Sequence, residues 1–263
     1  MKNILQIFIL NLIALFSLSA IADNKKVVLA ADYWCPYNCT PGSDKEGLLI
    51  DIARIAFAKK GIEVEYKLTS WVTAVDDFNK GRIDGIVGTA YGEVESPIYP
   101  SIEQATINIS AFTLDNTTWV YDGPDSLNNK TLAIVEGYEY EKDIKSYIYS
   151  NYIAKPHNFL FSTAENPVED CVNRLLKEQI FVYLETEAVV NYYAKENNIT
   201  NLRNAGNTLA KPYQIFIAFP RSNPNAEEYA NLITDATFAL KANGKMAQLY
   251  KKYGMKFGMK NSK

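Results

Sequence analysis

The ten residues ADYWCPYNCT, positions 31–40, gather a carboxylate (Asp32), three aromatic rings (Tyr33, Trp34, Tyr37) and two cysteines (Cys35, Cys39) around one proline. Aromatic faces attract cations and stack on planar solutes, at roughly 0.5–2 kcal/mol per ring. A neighbouring carboxylate adds charge to such a surface. The competing reading of each ring is plain core packing, since large aromatics are buried as readily as they line a cleft. Cys35 and Cys39 are four apart, so a disulfide would pin the loop, and two reduced thiols are the alternative. Zinc needs more ligands than this pair, and the only histidine, His157, is far away in the chain. Cys171 falls in a helical pattern and reads as a small buried residue.

Other reactive constellations are missing from the sequence. It has no metal-ligand spacing, no phosphate-cradling glycine loop and no serine–histidine pair, so no cofactor and no metal are expected. The carboxylates Glu93, Glu95 and Glu185 could act as acids or bases if burial shifted their pKa values. With 27 Lys+Arg against 30 Asp+Glu, the chain is mildly acidic, which argues against nucleic acid or an anionic membrane as partner. Residues 1–22 have a positive start, an apolar middle and a small-residue end. They read as a cleaved secretory signal peptide.

The elements that must position these groups follow from periodicity. Lys26 to Ala31 reads as a buried strand. The stretch EGLLIDIARIAFAKKG sets Leu48, Ile52, Ile55 and Ala56 at helical spacing and stops at Gly61. VEYKL is a short strand, and Thr69 or Ser70 can cap a helix that opens at Trp71. IDGIVGT is a third strand. This β-α-β-α-β order predicts a parallel sheet with crossover helices. The segment Ser96 to Thr113 reads as irregular, and TTWVYDG as a strand. PVEDCVNRLLKEQ, IFVYLE and TEAVVNYYAKEN then give a second α/β region. YQIFIAF is a last strand, followed by two helices broken near Gly244. Ligands of such sheets bind in the crevice at the carboxyl ends of the strands.

Four stretches carry a family resemblance: EGLLIDIARIAFAKKG, SWVTAVDDFNKGRIDGIVG, SLNNKTLAIVEGYEYE, and the C-terminal run from YQIFIAFPRSNPNAEEY to KKYG. In this order they resemble the extracytoplasmic solute-binding proteins of family 3, the amino-acid-binding type that serves ABC importers. The resemblance implies an α/β fold of two Rossmann-like lobes joined by a two-strand hinge, the periplasmic binding protein type II fold. Lobe one would be 23–114 plus 213–263, and lobe two 115–212. It implies a monomer that closes on a small polar solute and passes it to an inner-membrane importer or a sensor. A dehydratase-like enzyme on the same fold is the alternative.

The resemblance also implies a ligand site. Asp32, Tyr33, Trp34, Tyr37 and Trp71 would line it from lobe one, with Thr89, Tyr91 and Glu93 in the turn after the third strand. Gly137 and Tyr138 would approach from a helix N-terminus in lobe two, and Glu185 or Glu187 would hold a ligand amine. One departure stands out. Family members that bind α-amino acids carry Thr-x-x-Arg in that turn, and the arginine forks onto the ligand carboxylate. Here Thr89 is followed by Gly92 and Glu93, and no arginine occurs between Arg82 and Arg174. A cationic, neutral or aromatic solute, or one gripped through backbone amides, is expected instead.

Overall fold

The computed structural model describes residues 25–258. The signal peptide expected at 1–22 lies outside them. Valine and leucine at alternate positions of β1 (Lys26–Ala31) bury one face completely, and the strand pairs in parallel with β2 (Glu63–Leu68) and β3 (Gly85–Thr89). Between them lie α1 (Leu48–Ala58) and α2 (Trp71–Asn79) as crossovers. Ser70 caps α2, its hydroxyl accepting from the Thr73 amide at 3.3 Å. The long strand β11 (Tyr213–Pro220) returns antiparallel to β3 and also takes β4 (Pro97–Ile98) and β5 (Ala105–Ile107). The first sheet is therefore ordered β2-β1-β3-β11-β4, with β5 also on β11. Its far side is covered by α6 (Ala226–Ala242), where Phe57, Tyr229 and Phe219 meet edge to face. A short closing helix, α7 (Lys245–Lys252), follows Gly244.

The second sheet has the order β10-β6-β9-β7-β8. Its strands are β6 (Ile109–Leu114), β7 (Leu132–Val135), β8 (Phe159–Ser162), β9 (Val182–Thr186) and β10 (Leu202–Asn207). The helices α3 (Lys142–Tyr152), α4 (Pro167–Leu176) and α5 (Glu187–Glu196) flank it. Cys171 is buried and unpaired in α4.

Three expectations need correcting. The chain crosses between sheets at Asn108, six residues before the expected boundary at 114, because β6 already pairs with β9 and β10. It returns between β10 and β11. The irregular reading of 96–113 missed β4, β5 and β6. The apolar run ISAFTL is buried on both faces, so it lacks the alternation that marks a half-exposed strand. Conversely, TTWVYDG is not a strand. It runs beside β10 with one backbone bond, from the Tyr121 amide to the Ala205 carbonyl, and the Arg203 guanidinium holds the Trp119 carbonyl.

The opening loop and α1 fix each other. No side chain caps α1; instead its Leu48 and Leu49 amides donate to the Pro36 and Tyr37 carbonyls, each at 2.9 Å. Cys35 and Cys39 are joined by a disulfide, their α-carbons 4.7 Å apart. The turn into the helix is made by Gly47 at φ +116°, where an added β-carbon would stand 2.3 Å from the Tyr37 carbonyl oxygen. Gly47→Ala should therefore destabilise the protein by about 2 kcal/mol or more, through strain and backbone overlap. Urea denaturation checks this, and an unchanged midpoint would refute it.

Candidate functional site

The carboxyl ends of β1 and β3 and the start of α2 face the carboxyl end of β9 and the loop between β7 and α3. Side chains from the two sheets meet in this crevice. The Tyr138 hydroxyl donates to Asp32 Oδ2 at 2.5 Å. Trp34 Nε1 donates to Glu185 Oε1 at 3.0 Å. Trp71 Nε1 donates to the Gly137 carbonyl at 3.1 Å. The Glu139 amide donates to Glu93 Oε1 at 2.7 Å. A backbone bond from the Tyr33 amide to the Glu165 carbonyl, 2.8 Å, adds a fifth link. Gly137, at φ +83°, lets Trp71 approach: a β-carbon there would lie 3.1 Å from the indole.

The rings of Trp34 and Trp71 both stand edge-on to Tyr138, at centroid distances of 6.5 and 5.7 Å. Between the lobes they leave a cavity of about 20 Å³. That is room for about one water molecule. Asp32, Trp34, Trp71, Glu93 and Tyr138 line it.

Other residues named from the sequence lie elsewhere. Tyr37 is buried beneath Trp34, with ring centroids 4.5 Å apart, so it supports the indole rather than facing the cavity. Tyr33 is half-buried and lies near Tyr192 and Tyr193 of α5. Tyr91 is exposed and packs on Tyr99 and Phe216. Thr89 and Glu185 stand behind the lining. The Thr89 hydroxyl is 3.1 Å from Glu93, and Glu185 also accepts from the Tyr183 hydroxyl at 2.7 Å. Glu187 is exposed in the first turn of α5. Sequence reasoning missed Ile107, Ile109, Thr186, Tyr213, Ile215 and Glu139, which also line the cavity. Four of these sit on the segments that cross between lobes, and the unrecognised crossing at Asn108 hid two of them.

The electrostatics are one-sided. Among the described residues that line the cavity, the charged ones are Asp32, Glu93 and Glu139, and none is basic. Burial pushes Asp32 up to about 8, against the lowering effect of the Tyr138 hydroxyl. Burial likewise pushes Glu93 up to about 7, despite its bonds to the Ala90 and Glu139 amides. Glu185 is raised by burial too. No group of three or more His, Cys, Asp or Glu with metal-binding placement occurs among the described residues.

Two lobes joined by two crossings, with aromatic and carboxyl groups meeting between them, define a two-lobed binding protein of the periplasmic type II fold. The sequence matches the family described as bacterial extracellular solute-binding proteins, family 3, over residues 27–256, and the chain belongs to that family. None of the curated proteins matches it in sequence. Among solved structures it is similar to a histidine kinase sensor domain that resembles periplasmic binding proteins. That match has TM-score 0.70 and 17% identity, covering 87% of this chain and 95% of that one. It is also similar to an ancestral arginine-binding protein bound to arginine (TM-score 0.70, 16% identity, 89% and 98% covered). A third is the arginine-, lysine-, histidine-binding protein of Geobacillus stearothermophilus (TM-score 0.68, 15% identity, 90% and 97% covered). At these identities the likeness establishes the fold.

Two predictions follow from the charges. A carboxyl whose pKa is raised on folding holds its proton more tightly in the folded state. Its stabilising effect is complete below the ordinary carboxyl range and lost as pH rises through the raised value. Asp32 and Glu93 thus make stability fall between about pH 4 and about pH 8. The lowered pKa of Glu46 acts only at more acid pH. Thermal unfolding from pH 5 to 9 should show a falling midpoint, and Asp32→Asn should flatten the slope; a midpoint that rises with pH would contradict it. Separately, Trp34→Phe keeps a ring over Tyr37 but removes the indole donor to Glu185. It should cost roughly 1.5–3 kcal/mol, the worth of a hydrogen bond to a charged group. Chemical denaturation reads that loss, and a cost near zero would show that Glu185 does not depend on the indole.

Proposed function

We propose that this protein is an exported, periplasmic binding protein whose lobes close on a small solute and deliver it to an ABC importer in the inner membrane. The solute is cationic or neutral, and is not an α-amino acid gripped by its carboxylate. The observation that carries this reading is the charge of the crevice: carboxyls from both lobes converge on it, with no arginine or lysine among its lining residues. The nearest arginines in sequence are engaged elsewhere. Arg54 forks onto Glu46, and Arg82 is held by Asp76 and Asp77. Asp32, Glu93 and the rings of Trp34, Trp71 and Tyr138 suit an ammonium or guanidinium group. Solutes with cationic side chains are also what the names of the arginine- and lysine-binding structures describe.

The likeness to a sensor domain favours a second reading, in which the same closure is reported to a membrane receptor. Cellular uptake of the identified solute separates the two: it falls on deletion of the protein if an importer is served, and is unchanged if a receptor is.

The ligand class is tested by thermal shift and calorimetry with amines, polyamines, guanidino compounds, sugars, organic acids and the common amino acids. A ligand at 100 times its dissociation constant adds about 2.7 kcal/mol of stability. Binding of an amine or guanidino compound is expected, weakened at least tenfold by Asp32→Asn through loss of a charged partner. Submicromolar binding of several α-amino acids, abolished by mutating one arginine, would overturn the reading.

A further inference from the structure

Glu93 is held in an unusual way. Its Oε2 accepts the Ala90 amide at 2.6 Å and lies 3.1 Å from the Thr89 hydroxyl. Its Oε1 accepts the Glu139 amide at 2.7 Å. The first two donors come from the end of β3 in lobe one, and the third from the loop before α3 in lobe two. One carboxylate is thus shared between donors of both lobes, at the edge of the inter-lobe cavity it lines.

The local chain conformation serves this arrangement. Gly92 adopts φ +96° in open space, so the chain reverses within TAYGE and returns Glu93 onto the amide three residues earlier. Backbone amides and a hydroxyl converging on one point make an anion pocket, and charge-assisted bonds of this kind are the strong ones. No cationic side chain shares the pocket, so its preference for an anion rests on hydrogen-bond geometry alone.

We propose that the Glu93 carboxylate is the built-in occupant of an inter-lobe carboxylate pocket, formed by the Ala90 and Glu139 amides and the Thr89 hydroxyl. By filling it, Glu93 sets the cleft against solutes that carry their own carboxylate. A second carboxylate entering the cavity would find these donors taken and would meet no basic side chain among the lining residues. The same side chain ties the lobes together, a task that a bound anion could otherwise perform. The specificity half of this proposal rests on the crevice being the solute site; the pocket itself does not.

The test is replacement of the tethered carboxylate by a free one. Glu93→Ala removes the occupant and exposes the three donors. Formate and acetate, titrated against chloride at constant ionic strength, should raise its thermal midpoint saturably. The affinity should exceed the wild-type protein's by at least about tenfold, the worth of one charge-assisted bond. The variant's crevice should also accept small carboxylate solutes that the wild type rejects. Equal response of wild type and variant, or no saturable response in the variant, would overturn the pocket. Gain of formate binding without any gain for carboxylate-bearing solutes would overturn the specificity role and leave the pocket standing. Should Glu93→Ala not fold, Glu93→Gln keeps the shape and carries the test. The amide proton resonances of Ala90 and Glu139 should both move upfield relative to wild type, and failure of either to move would refute the shared carboxylate. Whether wild type binds any cationic or neutral solute is read from the separate ligand screen, so failure of that broader reading is distinguishable.

Discussion

Three carboxyl groups, Asp32, Glu93 and Glu185, meet in one crevice without a basic partner among its lining residues, and much of the local architecture answers that constraint. A buried carboxyl without donors is costly, and charged it is costlier still. Each of the three is therefore given donors: the Tyr138 hydroxyl for Asp32, the Trp34 indole and Tyr183 hydroxyl for Glu185, and two amides and a hydroxyl for Glu93. For each carboxyl at least one donor comes from the opposite lobe. The bonds that satisfy the carboxyls are thus also the bonds that join the lobes, and parting the lobes would exchange them for water.

This coupling gives the crevice a direction in charge. With Asp32 and Glu93 held partly protonated near neutral pH by burial, the joined lobes tolerate them without a cation. A cation entering between the rings would favour their ionised forms and take the place of the protons. The aromatic residues serve both conditions. Trp34 rests on Tyr37 and Trp71 on Tyr138, so the indoles are fixed by packing while their N–H groups reach across to lobe two. The disulfide and the carbonyls that cap α1 hold the loop carrying Asp32 and Trp34, which places lobe one's side of the site on a rigid support.

The first three strands of lobe one and the two helices between them were legible in the sequence because their patterns are local. The helical spacing of Leu48, Ile52 and Ala56, the serine before Trp71, and the glycines that end each helix are all signals within a few residues. The family likeness was legible for the same reason. The run ISAFTL was not, since a strand buried on both faces has no periodicity to distinguish it from a loop segment or a short buried helix. Misplacing that strand moved the lobe boundary and hid Ile107 and Ile109 from the site.

The sequence by itself determined the fold class, the aromatic and acidic chemistry of the 31–40 loop, and the absence of an arginine from the turn after β3, because each is a matter of which residues stand next to which. Tertiary structure alone decided the roles within that set. Tyr37 and Trp34 are three residues apart with the same aromatic character, yet one is support and the other reaches Glu185, 151 residues away. Glu93 reads from the sequence as a site residue of the turn after β3, but its partner, the Glu139 amide 46 residues on, is brought to it only by folding. Burial and donor geometry arise between segments distant in sequence, and composition or spacing within either segment holds no record of them.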